Sequence, residues 1–343
     1  MQKKVFSLLS QVSYNRAGQS DLIELKPTKG KNPLFIPKVI LEIIVWSIIN
    51  GEFIHLSGPS GSAKTALIQA LTMPENLYPI IDGMNNSRKS RYKKKPLKMY
   101  PIEMSTYETP AELQSVRGLS QGSTYDEDSE IVTALKNCVE DRKDFYPLIW
   151  LREMGRVISA NVQGGLLNLM DKGEVILRKN EVVDCMEISY IADSNYQADE
   201  DAHFTLVPLD SALKRRFSVN ITLDYLSRED EMVVLENIIK RDGKLGINHD
   251  LVIEVVNLGS RIRKNQAEGN LLSVAPPSIY GYLTYYKMAM GLQHLSHPKI
   301  AEFTLLGHAS NDDQKIVHSI LNDIYSVYDD DIEKDKPLSG NLT

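Results

Sequence analysis

Cysteine is scarce in this sequence, since Cys138 and Cys185 are the two cysteines in 343 residues. Two cysteines cannot supply a multi-disulfide framework, and their spacing is not that of a metal-binding pair. We therefore expect a protein of a reducing compartment, the cytoplasm. Long apolar runs are lacking as well. The run from Val39 to Ile49 is interrupted by Glu42 and is too short to cross a bilayer, so we expect no membrane segment.

A strong excess of either charge is also absent. The formal net charge is −6, which argues against a dedicated nucleic-acid-binding protein, so nucleic acid is not an expected partner. One local exception is the basic loop, residues 88–95, which carries six lysines and arginines. We interpret it as a solvated loop, and contact with an acidic partner or nucleic acid is the alternative. The length predicts about two domains.

The most informative stretch is EFIHLSGPSGSAKTALIQAL, residues 52–71. An apolar strand, a loop of small residues and a helix follow one another, and the loop fits the phosphate-binding pattern G-x-x-x-x-G-K-[ST]. The helix N-terminus and the backbone N–H groups of such a loop attract an anion. A simple Gly/Ser turn before a helix is the alternative. The predicted nucleotide-binding residues are Gly58, Pro59, Ser60, Gly61, Ser62, Ala63, Lys64, Thr65 and Ala66.

Three of these residues carry specific expectations. Lys64 would reach the β- and γ-phosphates of a nucleotide, and the hydroxyl of Thr65 would bind Mg²⁺. Ala63 stands where the pattern has its second glycine. We expect its methyl group to be tolerated if the backbone there is near-helical.

Strands and helices alternate up to about residue 225, and helices alone follow from Ser227. Ser227 is the predicted N-cap of the first of these helices, and Asp230, three residues later, gives a capping-box-like arrangement. This order predicts an α/β domain with a parallel sheet over 1–226, a small all-helical lid domain over 227–328 and a disordered tail over 329–343. The predicted elements are helices over 36–50, 64–71, 110–118, 131–143, 159–173 and 208–217, strands over 53–56, 98–104, 147–151, 186–195 and 218–225, and a hairpin over 174–184.

The ordered set of motifs resembles the AAA+ ATPases, in particular their MoxR-like branch with the related CbbQ/NorQ group. The stretch GPSGSAKT is similar to that family's GPPGTGKT. EMSTYETPAELQSVRG with its polar insert resembles the interrupted second helix. SANVQGGLLNLMDKGEVIL is similar to the helix and hairpin before sensor 1. The resemblance covers roughly residues 33–325 and implies a P-loop AAA+ core with a helical lid, binding ATP and Mg²⁺.

The resemblance also implies the catalytic residues. Glu153 matches the Walker B glutamate that polarises the attacking water, and Asn195 matches sensor 1. Arg216, in ALKRRF, matches the arginine finger that enters a neighbouring subunit's site, with Arg215 as the alternative. A finger acting in trans implies a homo- or hetero-oligomeric ring, usually of six subunits.

Two departures from the family pattern stand out. The family has Asp-Glu after an apolar strand, whereas this sequence has Leu151, Arg152 and Glu153. Arg152 either places a cation near Mg²⁺ or turns towards phosphate or a neighbouring subunit. We therefore expect slow hydrolysis by the chain alone and a higher rate after Arg152→Asp. No arginine stands near Pro276, where the family has its sensor 2 arginine, and Arg261 and Arg263 lie upstream as alternatives.

Two main functions follow. The first is a ring ATPase that remodels a protein partner in a chaperone-like manner, and the resemblance implies a partner with a von Willebrand factor A domain or a metalloenzyme. The second is a nucleotide-binding scaffold with little or no turnover, alone or in a mixed ring. A motor acting on nucleic acid is a third reading that the acidic composition disfavours. The phosphate loop does not distinguish ATP from GTP, because it does not contact the base.

Overall fold

The computed structural model describes residues 21–27, 33–86, 91–120, 123–155, 159–195, 209–271, 273–307 and 309–325. The chain divides into two compact units, residues 1–225 and 226–343. The tail predicted to be disordered, 329–343, lies outside the described residues. Within these ranges no helix has both the length and the apolar character that crossing a membrane requires.

A five-stranded parallel sheet forms the centre of the first unit, with the strand order β11-β3-β10-β7-β4. Strands β7 and β10 are buried along almost their whole length, which requires cover on both faces of the sheet. The predicted α/β class with a parallel sheet is confirmed. The strands are β3 (Phe53–Gly58), β4 (Leu97–Glu103), β7 (Tyr146–Arg152), β10 (Ser189–Asn195) and β11 (Val219–Thr222).

Helices connect these strands and flank the sheet. The helix expected over 36–50 is α1, with Pro37 at its N-cap and Gly51, at a φ of 65°, just beyond its end. Pro74–Asn86 forms a helix that the sequence patterns did not predict. The helices of this unit are α1 (Lys38–Ile49), α2 (Lys64–Leu71), α3 (Pro74–Asn86), α4 (Glu130–Asp141), α5 (Ala160–Leu167) and α6 (Ser211–Arg216).

The helix predicted from Pro110 to Gly118 is wrong. The chain makes one turn, in which the Ser115 N–H donates to the Ala111 carbonyl, and then extends into a β-hairpin. Local helix propensity was overridden because strand pairing over twelve residues satisfies the backbone of this polar insert. The short antiparallel pairs are β1 (Leu22–Leu25) with β2 (Leu34–Pro37), β5 (Ser115–Ser120) with β6 (Ser123–Asp128), and β8 (Glu174–Ile176) with β9 (Val182–Asp184).

The second unit is helical in its described residues. Its first helix is capped as predicted, because the Ser227 hydroxyl accepts from the Asp230 N–H at 3.1 Å. Two later helices approach closely at Gly259, where a Cβ atom would lie 1.9 Å from the hydroxyl oxygen of Tyr282. The helices are α7 (Arg228–Asp242), α8 (His249–Ala267), α9 (Ile279–Gly291), α10 (His297–Thr304) and α11 (Gln314–Tyr325), of which α10 was not predicted.

Candidate nucleotide-binding site

The phosphate loop leaves β3 at Gly58 and enters α2 at Lys64. Gly58 has a φ of 153°, and a Cβ atom there would lie 1.9 Å from the carbonyl oxygen of Leu223. A side chain at this position would therefore collide with backbone. The tip of the loop is held by Tyr225, whose hydroxyl donates to the Ser60 carbonyl at 2.8 Å. The result is a fixed loop of small residues in front of a helix N-terminus, as anion binding requires.

Ala63 does not have the near-helical backbone that the sequence argument assumed. Its φ of 69° and ψ of 16° lie in the left-handed region, immediately before α2. An L-residue in this region costs about 1–2 kcal/mol because its Cβ crowds the following carbonyl. The glycine found here in the phosphate-loop pattern would avoid that cost, so Ala63 is a strained position rather than a neutral one.

Lys64 is buried, and its ammonium group is held by the loop itself. The Nζ atom donates to the carbonyl oxygens of Gly58 and Pro59, both at 2.8 Å, and to the Ser62 hydroxyl at 3.4 Å. Burial lowers the pKa of Lys64 to about 8, and the negative charge of Asp193 acts in the opposite direction. A phosphate group would favour the charged ammonium and could replace the carbonyls as its partner. The next side chain, Thr65, is exposed at the start of α2.

Asn195 and Glu153 lie at the same carboxyl edge of the sheet as the loop. Asn195 is the last residue of β10 and is in register with Gly58 of β3. Glu153 follows β7 directly and has a φ of 54°. A left-handed non-glycine residue that follows a buried strand is a strained feature of the kind that occurs at functional sites. The structure thus brings Lys64, Glu153 and Asn195 to one edge of three adjacent strands.

Asp193 is a residue of this edge that the sequence analysis did not single out. It lies in β10, two residues before Asn195, and only 6% of it is exposed. Its carboxylate accepts the indole N–H of Trp150 at 2.5 Å, and its carbonyl oxygen accepts the Met154 N–H at 2.9 Å. Burial raises the pKa of Asp193, and the Trp150 hydrogen bond and the charge of Lys64 oppose that shift. An acidic residue directly after the buried residues 189–192, SYIA, could have drawn attention to it.

Arg152 contacts residues of two elements of its own chain. Its guanidinium lies 3.4 Å from Glu103 of β4, the strand on the far side of β7 from the phosphate loop. It also lies over the ring of Trp150, 5.1 Å from its centroid. Its positive charge also acts on Asp193 of β10, where it opposes the rise in the pKa of that carboxyl, so Arg152 affects both strands that neighbour β7.

Arg216 lies away from the phosphate loop. It ends α6, and β11 then begins in register with Ile54 at the amino-terminal end of β3. Its guanidinium contacts Asp171 at 3.3 Å. The five residue steps from Phe53 to Gly58 span about 17 Å in a strand. Arg216 and the loop of the same chain therefore lie at opposite edges of the sheet.

The two arginines considered for sensor 2 have other partners within the helical unit. Arg263 is largely buried, pairs with Glu231 at 2.7 Å and donates to the Pro277 carbonyl at 2.7 Å. Burial raises the pKa of Glu231, and the charge of Arg263 opposes that shift. Breaking such a buried pair leaves an uncompensated charge, so Arg263 is a structural residue here. Arg261 is half exposed and lies 3.9 Å from Asp323.

The described end of the basic loop is partly held rather than freely solvated. Tyr92 and Asn85 exchange two hydrogen bonds, at 2.6 and 3.0 Å. Lys94 pairs with Asp82 of α3 at 2.7 Å. The Lys95 ammonium donates to the Arg142 carbonyl at 2.7 Å. Residues 88–90 of this loop lie outside the described ranges.

The edge formed by β3, β10 and β7 carries oxygen donors of the kind that Mg²⁺ takes. Within the described ranges no group of three or more His, Cys, Asp or Glu side chains could hold a metal ion by itself. Magnesium beside phosphates normally takes only one or two protein ligands, because phosphate oxygens and water provide the rest. The exposed hydroxyl of Thr65 and the carboxylates at this edge are oxygen donors of the kind that Mg²⁺ prefers.

Comparison with known proteins identifies the family. Residues 51–229, slightly more than half of the chain, match the family model described as AAA domain (Cdc48 subfamily). Among solved structures, the fold is similar to that of a protein from Cytophaga hutchinsonii ATCC 33406 assigned as an ATPase, with 16% identity and a TM-score of 0.39, covering 83% of this chain and 88% of that chain. It is also similar to a chain of the E. coli MS115-1 HORMA:CdnC:Trip13 complex, with 13% identity, a TM-score of 0.40 and coverage of 82% and 86%. No curated protein matches the sequence.

Proposed function

The chain belongs to the AAA domain family, Cdc48 subfamily. From this membership we propose that the chain binds ATP with Mg²⁺ and hydrolyses the ATP to ADP and phosphate. One observation carries this proposal. The phosphate loop with its buried Lys64 shares an edge of the sheet with Glu153 and Asn195, on three adjacent parallel strands. Ligands of open parallel sheets bind at this carboxyl edge.

Each residue of that edge has a role in the proposal. Backbone N–H groups of the loop and the ammonium group of Lys64 bind the β- and γ-phosphates. Thr65 holds Mg²⁺, which when bound neutralises charge on those phosphates. Glu153 orients and polarises the attacking water, and Asn195, opposite Gly58, helps to fix that water near the γ-phosphate.

The position of Arg216 supports an oligomeric assembly. Its place at the amino-terminal end of the strands, beside Asp171, makes it unsuited to its own chain's phosphates. We propose that Arg216 enters the nucleotide site of a neighbouring subunit as an arginine finger, in a homo- or hetero-hexameric ring. An arginine finger is worth about 10³–10⁵ in the rate of phosphoryl transfer. Residues 227–328 act as the helical lid in this arrangement.

The expected task of the ring is remodelling of a protein partner, as the resemblance to the MoxR-like branch implies. A partner with a von Willebrand factor A domain or a metalloenzyme that needs activation fits that reading. A nucleotide-binding scaffold with little turnover is the second candidate. Arg152 favours this second candidate, because it stands at the position where the family has an aspartate, and it pairs with Glu103.

Steady-state ATP hydrolysis together with ATP binding by calorimetry tests the proposal. Lys64→Ala should abolish ATP binding. Glu153→Gln should keep binding but lose hydrolysis, since a neutral amide cannot polarise water as a carboxylate does. Lys172→Ala is the matched control, because this lysine pairs with Glu52 at the opposite end of β3 and should leave both activities unchanged. Unchanged ATP affinity in Lys64→Ala would contradict the phosphate-loop assignment.

Mixing two inactive variants tests the ring. Glu153→Gln chains still carry the finger, and Arg216→Ala chains still carry the water-activating glutamate. A mixture should therefore regain hydrolysis that neither variant has alone. Arg178→Ala is a control for charge, because its guanidinium contacts Asp126 on the β5–β6 hairpin instead. Binding of ATP by the parent chain without hydrolysis, with or without the products of neighbouring genes, would favour the scaffold.

A further inference from the structure

The last residue of β7, Arg152, is a cation and not a carboxylate. Arg152 occupies the position where the related ATPases have an aspartate that supports Mg²⁺, and its guanidinium is directed to Glu103 on β4. Since β10 lies between β7 and β3, Arg152 is one strand further from the loop than any residue of β10. A carboxylate on β10 stands on the strand directly beside β3, which leads into the phosphate loop.

Asp193 is such a carboxylate. Its Cα atom is opposite Leu56 on the side of β3, two residues before the pair formed by Asn195 and Gly58. On the other side it reaches β7, where it accepts the Trp150 indole N–H at 2.5 Å and a backbone N–H from Glu153. The group is 6% exposed, so it is a built part of the edge and not a surface charge.

The charges around Asp193 imply what nucleotide binding would do there. The buried ammonium group of Lys64 lies close enough for each charge to affect the other's protonation. A triphosphate that engages Lys64 would bring several negative charges towards this buried carboxylate, whose neighbouring cations are Lys64 and Arg152. Coulomb repulsion is strong in such surroundings, and a divalent cation between the two anionic groups converts it into attraction.

We propose that Asp193, on the strand next to the phosphate loop, is the carboxylate that makes nucleotide binding depend on Mg²⁺, in place of the one absent from the end of β7. This inference rests on the proposed function. It concerns the chain's own side of the metal site and leaves the roles of Thr65 and Glu153 unchanged. The competing explanation is that Asp193 acts only as a clamp for Trp150 and for the turn at Glu153.

Measuring ATP affinity by calorimetry, once with Mg²⁺ and once with EDTA, separates these explanations. Asp193→Asn removes the charge and keeps one oxygen that can accept the Trp150 N–H, whereas its NH2 group cannot accept the Glu153 N–H, so the clamp is kept in part. We expect the ratio of the two dissociation constants to fall about tenfold or more, since loss of a residue supporting a metal site typically costs 10–100-fold. Affinity in EDTA should stay the same or improve, because a repulsion is removed.

Glu103→Gln is the matched control, since it neutralises a carboxylate in register with Arg152 on the far side of β7. It should leave the Mg²⁺ dependence unchanged. A purely structural role for Asp193 predicts that both dissociation constants change together and that the ratio is kept, which would overturn the proposal. Absence of ATP binding by the parent chain would instead refute the proposed function itself.

A second test places a carboxylate at position 152 of β7 while removing the one at position 193 of β10. The double variant Arg152→Asp with Asp193→Asn should regain at least part of the Mg²⁺ dependence lost in Asp193→Asn. A folded double variant that stays as independent of Mg²⁺ as Asp193→Asn would overturn the claim that the two positions are equivalent.

A readout that needs no change at Asp193 covers the case in which Asp193→Asn fails to fold. Trp46 and Trp150 are the two tryptophans of the chain, so Trp46→Phe leaves Trp150 as the single reporter. Adding Mg²⁺ to the ATP complex of this variant should change Trp150 emission, because the ion acts on the carboxylate that accepts its indole N–H. Emission identical with Mg²⁺ and with EDTA would contradict the proposal.

Discussion

Replacing Ala63 by glycine should stabilise the first unit, although Gly substitutions usually destabilise. The strained left-handed backbone at Ala63, with a φ of 69°, costs about 1–2 kcal/mol for a residue with a Cβ atom. Glycine removes that cost but adds about 0.5–1 kcal/mol, because its unfolded chain is more flexible. We expect a net gain of about 0.5–1 kcal/mol in the free energy of unfolding. For a unit of this size that corresponds to about 1–4 °C in Tm.

Urea unfolding followed by tryptophan fluorescence reports on this unit, because Trp46 and Trp150 both lie within it. The matched control is Ala212→Gly, an exposed alanine in the right-handed helix α6. There glycine should cost up to about 1 kcal/mol. Ala63→Val should lower stability further, since a β-branched side chain tolerates the left-handed region poorly. If Ala63→Gly lowered stability as much as Ala212→Gly, the argument from backbone strain would be wrong.

Three further predictions concern charge and packing. The pKa of Lys64 is lowered to about 8 in the folded state, so the unfolded chain binds more protons than the folded chain between about pH 8 and 10.5. The free energy of unfolding should therefore rise with pH across that window, relative to Lys64→Met. The same pH dependence in the parent chain and in Lys64→Met, measured by urea unfolding, would contradict this. Gly259→Ala should destabilise the helical unit by about 1–3 kcal/mol by hydrogen exchange, because its Cβ would overlap Tyr282. The helical control Gly291→Ala, with open space around it, should not. Lys95→Ala should lower Tm slightly, because the hydrogen bond from Lys95 to the Arg142 carbonyl is lost. An unchanged Tm would instead support a fully solvated basic loop.

The parts of the fold that could be predicted from sequence are those in which the signal is local. The phosphate loop is one example, because its strand, small residues and helix are contiguous and their spacing reflects one geometry. The hairpin of β5 and β6 shows the limit. Residues 110–118 contain helix-compatible side chains, but 115–118 pair with 125–128 instead, and no local pattern encodes that pairing.

The candidate site also contains residues that local sequence patterns could locate and contacts that they could not. Glu153 and Asn195 could be located because each ends an apolar strand, and parallel strands bring their carboxyl ends to one edge. The partner of Arg152 could not be predicted, because Glu103 is 49 positions earlier and meets it only through the register of β4 with β7. The surroundings of Asp193 could not be predicted for a related reason. Its importance depends on the neighbours that β3 and β7 provide, and neither is near it in sequence.

The contact between Arg152 and Glu103 also changes what Arg152→Asp is expected to do. From sequence alone this change should raise hydrolysis by restoring support for the metal. In the structure the new carboxylate would lie directly opposite Glu103, and like charges opposite each other in a sheet are destabilising. The side chains are about one-third or more exposed, so the loss should be about 1 kcal/mol or less, and added Glu103→Gln should recover it. With Asp193 intact, we expect no gain in ATP hydrolysis from Arg152→Asp alone. A several-fold rise in that single variant would show that metal support was missing from the parent chain, and Asp193 could then not be its source.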